Sequence, residues 1–124
     1  MGSNSILDGR RILVVEDEPM IALDLQEALR DVGATVLGPA GTALKAIGVI
    51  EAGKIDCALL DIKLGEEDVS AVAMSLERRQ IPMVFVTAYE DERIPRGFET
   101  RPIVHKPYNQ NTLLSLIARI VTSN

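Results

Sequence analysis

Short apolar runs alternate with amphipathic stretches along this chain. The runs cover residues 11–15, 35–38, 57–60, 83–86 and 102–104. Such an alternation is typical of a parallel sheet with helices on both of its faces. The first, third and fourth runs are continuously apolar, so we expect them in the middle of the sheet. The second and fifth runs are shorter and more broken, which suits its edges.

The stretches between the runs carry helix signals at their ends. Pro19 stands where the first helix begins, and apolar residues recur at helical spacing until Gly33. The other boundary signals are Thr42 and Gly53 for the second helix, Asp68 for the third, and Asn109 or Asn111 for the last. The sequence therefore predicts helices in four of the five stretches that follow the runs.

The fourth helical slot, residues 90–98, has a weaker pattern than the others. Pro95 has no amide hydrogen to donate and Gly97 is flexible, so a long regular helix is disfavoured there. We expect a short or irregular, mobile segment in this place.

The order of the elements predicts an α/β fold. Five β-α units with right-handed crossovers most simply form a flavodoxin-like, doubly wound, five-stranded parallel sheet in the order 2-1-3-4-5, within a three-layer α/β/α sandwich. Ligands bind such sheets beyond the carboxyl ends of the strands, where the winding reverses, and that point lies between strands one and three. We assign this domain to residues 10–122 and expect residues 1–9 to be a disordered lead.

The composition fits one soluble globular domain. The chain has 124 residues, of which 47% are hydrophobic and 25% charged. A net charge of −5 argues against a nucleic-acid-binding face, and no apolar run is long enough to span a membrane. Cys57 is the single cysteine and lies in an apolar run, so we expect a core residue, no internal disulfide and a reducing, cytoplasmic setting.

Polar residues follow directly on four of the five runs. Glu16 and Asp17 follow the first run, Asp61 the third and Thr87 the fourth, and Lys106 follows the fifth after one intervening residue, His105. Because the carboxyl ends of parallel strands meet at one edge, we expect these side chains to cluster at the point where the winding reverses. Carboxylates placed so close repel one another unless a cation neutralises them, and Mg²⁺ prefers oxygen ligands.

A magnesium site at this edge has a ready ligand set. Asp17 and Asp61 can bind the ion directly, the backbone carbonyl of Lys63 can add a third oxygen, and Glu16 can reach the ion through water. With the metal drawing charge away from an incoming phosphate, Asp61 is free to attack phosphorus and form an aspartyl-phosphate.

Two further side chains suit the phosphate itself. Lys106 supplies a positive charge to its oxygens, and the Thr87 hydroxyl can donate a hydrogen bond to one of them. Each residue alone has a plainer interpretation, since acids before Pro19 favour the positive end of a helix dipole and Asp61 suits a turn. Their coincidence at the strand ends is what favours phosphoryl chemistry.

Together these motifs resemble the receiver domain of bacterial two-component response regulators. The matching residues, each at a strand end, are the pair Glu16-Asp17, Asp61, Thr87 and Lys106-Pro107. The resemblance implies a signalling module in which Asp61 accepts a phosphoryl group from a histidine kinase or phosphotransfer protein, with Mg²⁺ as cofactor. It implies no turnover enzyme: such a domain catalyses only its own phosphorylation and dephosphorylation and then changes its contacts with a downstream protein.

Two positions depart from the commonest family pattern: the first could alter metal affinity or hydrolysis of the phosphoryl group, and the second bears on how the signal leaves the site. Glu16 stands where the family more usually has aspartate, and Ile103 replaces an aromatic that usually reports the movement of Thr87. The run 85–89 is similar to a receiver subset with a Phe-Ala-Thr-Gly-like sequence after strand four. In that subset the following loop and a loosely ordered fourth helix carry the switch, so Tyr89 becomes the candidate relay.

The resemblance also bears on partners. Many members dimerise through the fourth helix, fifth strand and fifth helix, and the irregular fourth slot leaves that alternative open here. Arg93, Arg96 and Arg101 form a basic patch around this slot, either a solvated face or a docking place for an acidic partner. No output domain follows within the chain, so we expect protein contacts, made alone or as part of a longer protein, and no direct contact with nucleic acid or membrane.

Two alternatives use the same kind of sheet. One is an aspartyl-nucleophile phosphatase of HAD-like type. It requires a general acid two residues after the nucleophile, where Lys63 stands, and a cap over the site, which the short loops do not provide. A receiver-like domain that is never phosphorylated is disfavoured because every chemical part is present. His105, the only histidine, lies at a strand end and is assigned no role, and the family favours a cis bond between Lys106 and Pro107.

Overall fold

The computed structural model describes residues 6–65, 67–88 and 94–122. Five strands in these segments form one parallel sheet: β1 (Arg11–Val15), β2 (Thr35–Ala40), β3 (Cys57–Asp61), β6 (Met83–Thr87) and β7 (Ile103–His105). Their order across the sheet is β2-β1-β3-β6-β7. Taken in chain order, this is the predicted order 2-1-3-4-5, so the α/β fold prediction is confirmed.

Helices cover both faces of the sheet. They are α1 (Pro19–Asp31), α2 (Ala43–Ala52), α3 (Ser70–Arg78) and α4 (Gln110–Thr122). One apolar core lies under α2 and α3 and includes Ile50 and Leu76, and the other lies under α1 and α4 and includes Leu29 and Ile117. Successive residues of β1 point to opposite cores, as the period of a strand requires. The result is the predicted three-layer sandwich.

Burial of the strands matches their sequence patterns. Every residue of β3 and β6 is buried, whereas β2 and β7 lie at the edges and keep partly exposed residues. Cys57 is buried in the middle of the sheet as a free thiol, as expected. Continuous apolar runs therefore identified the strands that are covered on both faces.

Most of the predicted helix boundaries are confirmed. Pro19 opens α1, and the Thr42 hydroxyl accepts a hydrogen bond from Lys45 N at 3.2 Å as the N-cap of α2. Of the two candidates for the start of α4, Asn109 makes the capping contact: its Oδ1 accepts a hydrogen bond from Thr112 N at 3.1 Å. No helix in the described part of the chain is long and apolar enough to cross a membrane.

The expectation for Asp68 needs correction. The N-cap of α3 is Val69, and Asp68 lies one residue earlier, in a strand. Its Oδ1 still accepts hydrogen bonds from the backbone N and the hydroxyl of Ser70, at 2.9 and 2.7 Å. Asp68 thus stabilises the start of α3 from outside the cap position.

Two short strands were not predicted. β4 (Lys63–Leu64) and β5 (Glu67–Asp68) pair antiparallel between β3 and α3. The Lys106–Pro107 bond is cis, as predicted, and the Gly38–Pro39 bond, for which no prediction was made, is also cis.

The prediction of a disordered lead is wrong for its described part, residues 6–9. These residues form a turn in which Gly9 N donates to Gly33 O at 2.8 Å, and Leu7 is buried in the core between α1 and α4. A backbone hydrogen bond and one buried apolar side chain therefore join this segment to the domain, while residues 1–5 lie outside the described segments.

The described part of the fourth slot, residues 94–98, contains turns and no helix, as its sequence predicts. Phe98 is buried and packs edge-on against Phe85 of β6, with ring centroids 6.5 Å apart. The Arg101 guanidinium lies 5.3 Å from the centroid of the Phe98 ring and pairs with Glu77 of α3. Arg101 is thus engaged within the domain, whereas Arg93 and Tyr89 lie outside the described residues.

Candidate functional site

Four of the predicted site residues meet at the carboxyl edge of the sheet. Glu16 comes directly after β1, Asp61 and Thr87 end β3 and β6, and Lys106 comes directly after β7. Glu16, Asp61 and Thr87 are buried although they are polar. The parallel sheet therefore brings together two acids, a hydroxyl and an amine from four separate parts of the sequence.

Lys106 is the cationic centre of this group. Its Nζ donates to Glu16 Oε1 at 3.3 Å, to Asp61 Oδ2 at 3.4 Å and to Glu18 Oε1 at 3.4 Å. The side chains of Glu16 and Asp61 are only 1% and 7% exposed, whereas that of Glu18 is 60% exposed. Two of the three ion pairs are consequently shielded from water, so solvent screens them less than a surface pair, although burial of their charges carries a desolvation cost.

Backbone hydrogen bonding joins Lys106 to Thr87. Lys106 N donates to Thr87 O at 2.7 Å, one residue beyond the ladder pair formed by Thr87 and His105. A displacement at the end of β6 therefore acts directly on the start of the segment that carries the amine. His105 itself is exposed at the edge of the sheet.

The surroundings of the site raise the pKa values of both Glu16 and Lys106, for different reasons. Burial, together with the hydrogen bond and charge of Asp61, raises the pKa of Glu16 to about 7, against a smaller opposing effect of Lys106. Burial by itself lowers the pKa of Lys106, but the neighbouring Asp61 and Glu16 carboxylates outweigh it and the net pKa is raised. Lys106 is therefore charged at neutral pH, while the acids lack sufficient positive charge.

The donor chemistry fits a hard divalent cation. Carboxylate oxygens of Glu16, Glu18 and Asp61 lie within 4.8 Å of one another. Oxygen donors at this spacing suit Mg²⁺ or a similar ion, which would supply the missing positive charge. The presence of Glu18 in the cluster was missed from the sequence, where the acidic run before Pro19 was the available signal.

The predicted ligands Asp17 and Lys63 lie at the same site but in a different relation to it. Both line the cavity, and a Cβ at Gly65 would lie 3.5 Å from Asp17 Oδ2, so this carboxylate faces the β4-β5 connection. Lys63 N donates to Asp61 Oδ1 at 3.3 Å. The predicted ligand set Glu16, Asp17, Asp61 and Lys63 thus stays a prediction, with Glu18 as an additional acid.

An open cavity of about 440 Å³ gives access to these groups. Its lining residues are Asp17, Glu18, Asp61, Lys63, Gly65, Ala88 and Lys106. A phosphoryl group that enters it meets the Asp61 carboxylate, the Lys106 amine and the acids that can hold a cation. The arrangement can support nucleophilic attack by Asp61 on phosphorus.

Of the two other predicted switch residues, the structure describes only Ile103. It lies on β7 opposite Phe85 in the ladder and packs, partly buried, against the core under α2 and α3. An aliphatic side chain thus occupies this edge position, and Phe85 receives its aromatic neighbour from Phe98 instead. The relay role of Tyr89 concerns a residue outside the described segments.

The sequence matches the family described as response regulator receiver domain over residues 12–118. The chain therefore belongs to the receiver domain family of response regulators. This finding confirms the family resemblance inferred from the strand-end motifs, while assignment to the Phe-Ala-Thr-Gly-like subset stays a prediction.

Several relatives agree with this assignment. The chain is 30% identical over 91% of its length to the transcriptional regulatory protein PdtaR of Mycobacterium tuberculosis, and 33% identical over 87% to the phyllosphere-induced regulator PhyR of Methylorubrum extorquens. It spans 57% and 42% of those proteins, about half of their length. The solution structure of SdrG from Sphingomonas melonis superposes with a TM-score of 0.79 at 36% identity, covering 94% of this chain and 98% of SdrG.

Proposed function

We propose that this domain is a phosphorylation-switched signalling receiver that works with Mg²⁺. A histidine kinase or a phosphotransfer protein donates the phosphoryl group, and Asp61 accepts it. The observation that carries the proposal is the Asp61 carboxylate, which lies at a strand end, 3.4 Å from the Lys106 amine, in the wall of an open acidic cavity. Membership of the receiver family supports it independently.

The transfer is a displacement at phosphorus. A carboxylate oxygen of Asp61 forms the new O–P bond as the N–P bond to the donor histidine breaks, and the bonding electron pair returns to the imidazole. Lys106 and Thr87 then hold phosphoryl oxygens by a charged contact and a hydrogen bond. Asp17, Asp61 and the acidic neighbours Glu16 and Glu18 would hold the Mg²⁺, which neutralises charge between the carboxylate and the phosphoryl group when bound.

The phosphorylated state would differ from the free state in the position of Lys106. Its amine leaves carboxylates and turns to phosphoryl oxygens, and the 2.7 Å bond between Lys106 N and Thr87 O couples the ends of β6 and β7 to this change. Output then takes the form of altered affinity for a protein partner at the adjoining surface. We place this function in the cytoplasm and expect self-limited phosphorylation and dephosphorylation without turnover of a substrate.

The phosphatase alternative has no supporting observation among the described residues. Lys63, two residues after the nucleophile, is an exposed cation whose backbone N contacts Asp61, and it cannot serve as a carboxylic general acid. The open cavity also lacks a covering domain in the described part of the chain.

The proposal is tested by incubating the chain with MgCl₂ and acetyl phosphate and measuring its intact mass over time. We expect the wild-type chain to gain the mass of one phosphate. We expect no such gain when EDTA is present during the reaction, or in Asp61→Asn. Continuous release of phosphate over many turnovers would support the phosphatase, and an unchanged mass would contradict phosphorylation by this donor.

A further inference from the structure

The described residues between Asp61 and α3, 62–65 and 67–69, include the two paired strands of a hairpin. Lys63 pairs with Asp68 and Leu64 with Glu67 in an antiparallel ladder, and Leu64 is 1% exposed in the core under α2 and α3. The first strand of this hairpin thus begins two residues after the phosphorylation site and is held by the core.

The hairpin also forms one wall of the cavity. Lys63 and Gly65 line it, and Gly65 has a φ of +61°, in the left-handed region that favours glycine. A Cβ at Gly65 would lie 3.5 Å from Asp17 Oδ2. Any displacement of the hairpin would therefore change the space around Asp17 and the backbone next to Asp61.

A single carboxylate ties the second strand of the hairpin to a different element. Glu67 Oε1 accepts a hydrogen bond from Ala43 N, the first residue of α2, at 2.7 Å and 24 residues away in the sequence. The first amides of a helix have no acceptor within the helix, and their partial positive charge favours a carboxylate. Thr42 satisfies Lys45 N, so Thr42 and Glu67 serve different amides of the same helix end.

We propose that Glu67 is a positioning residue for the metal and phosphoryl site. It ties the hairpin to α2 and thereby holds the cavity wall beside Asp17 and the backbone of Lys63 in place. This inference rests on the proposed function, because it concerns the Mg²⁺ site of that function. Glu67 acts through the hairpin and itself binds neither metal nor phosphate.

The test is the Mg²⁺ dissociation constant of the unphosphorylated chain, measured by calorimetric titration. In Glu67→Ala the tie is lost, and we expect the dissociation constant to rise about five- to tenfold, as loss of one hydrogen bond to a charged group allows. Glu67→Gln keeps a side-chain oxygen for Ala43 N, so we expect it to stay within about twofold of the wild type.

A matched control lies one residue away. Asp68 lies in the same hairpin, and Asp68→Ala removes the hydrogen bonds that Ser70 donates to it from the start of α3. The tie between Glu67 and α2 stays intact. We expect Asp68→Ala to lower the melting temperature with little change in Mg²⁺ affinity. Equal Mg²⁺ affinity in wild type and Glu67→Ala, equal weakening in Glu67→Ala and Glu67→Gln, or equal weakening in Asp68→Ala would each overturn the positioning role.

Failure of this inference is distinguishable from failure of the proposed function. If the wild-type chain binds no Mg²⁺ in the titration, the metal-dependent function fails and the inference falls with it. If the wild type binds Mg²⁺ and gains phosphate while Glu67→Ala binds Mg²⁺ equally well, only the role of Glu67 is overturned.

Discussion

The Nζ atom of Lys106 lies 3.4 Å from Oδ2 of Asp61, although the two residues are 45 positions apart in the sequence. The side chains are 13% and 7% exposed, so the contact is largely screened from water. Lys106 therefore partly neutralises a crowded acidic site. The same amine is the group that can follow a phosphoryl group placed on Asp61.

Removal of the amine is expected to destabilise the metal-free domain. In Lys106→Met, the carboxylates of Glu16 and Asp61 lose their shared cation, and we expect the free energy of unfolding at pH 8 in EDTA to fall by roughly 2 kcal/mol. Urea denaturation measures the change, with Lys45→Met on the exposed surface of α2 as the control. Equal stability of the two variants would contradict the role of Lys106 in balancing the site.

Glu16 is expected to make stability depend on pH. Its pKa is raised from 4.5 to about 7 in the folded domain, chiefly by burial, so the folded state holds the proton more tightly than the unfolded state. The contribution of Glu16 to the free energy of unfolding is therefore fully present below pH 4.5 and is lost as the pH rises to about 7. Glu16→Gln, which cannot ionise, should be more stable than wild type at pH 8 in EDTA by roughly 2 kcal/mol.

The control for this prediction is Glu27→Gln on the exposed face of α1. Urea denaturation at pH 5 and pH 8 compares both variants with the wild type. If the wild type becomes more stable relative to Glu16→Gln between pH 5 and pH 8, the predicted direction of the pH dependence is wrong.

The acids of the cluster are expected to contribute unequally to Mg²⁺ binding. Asp17 and Glu18 both line the cavity, but Asp17 Oδ2 lies toward Gly65 of the hairpin, whereas Glu18 already contacts Lys106. We expect Asp17→Asn to raise the Mg²⁺ dissociation constant at least about tenfold, and Glu18→Gln to raise it less than about threefold. Calorimetric titration of both variants with Mg²⁺ tests this prediction. A larger rise of the dissociation constant in Glu18→Gln than in Asp17→Asn would assign the direct ligand to Glu18.

Cys57 is expected to be unreactive in the folded domain. Burial raises the pKa of its thiol to about 12, and the thiolate is the reactive form. An aromatic disulfide reagent at pH 8 should label it only after denaturation. Since the folded pKa lies above the unfolded value of 9.0, stability should also decrease as the pH rises from about 9 to 12. Rapid labelling of the native chain would contradict the burial of this strand.

Long sequence patterns predict the elements of this fold better than short ones. Continuous apolar runs identified β3 and β6, and the parallel order placed Asp61, Thr87 and Lys106 at one edge before any contact was seen. The β4-β5 hairpin was missed because strands of two residues have no periodicity to detect.

Other differences come from single side chains. Leu7 of the predicted lead is buried in the core, and the two adjacent apolar residues Ile6 and Leu7 in a polar stretch give no periodic pattern. The contact between Glu18 and Lys106 spans 88 positions of sequence, so the acidic run before Pro19 does not reveal it. Such contacts depend on the tertiary fold and have no local signature.

The central claim is that Asp61 carries the phosphoryl group. An acyl phosphate is reduced by borohydride to an alcohol, so the chain is treated with MgCl₂ and acetyl phosphate, reduced, digested and sequenced by tandem mass spectrometry. The account predicts homoserine at position 61, in the wild type only and only with Mg²⁺. Homoserine at position 17 instead of position 61 would contradict this claim. So would a chain that has gained phosphate but contains no reduced carboxylate after borohydride treatment.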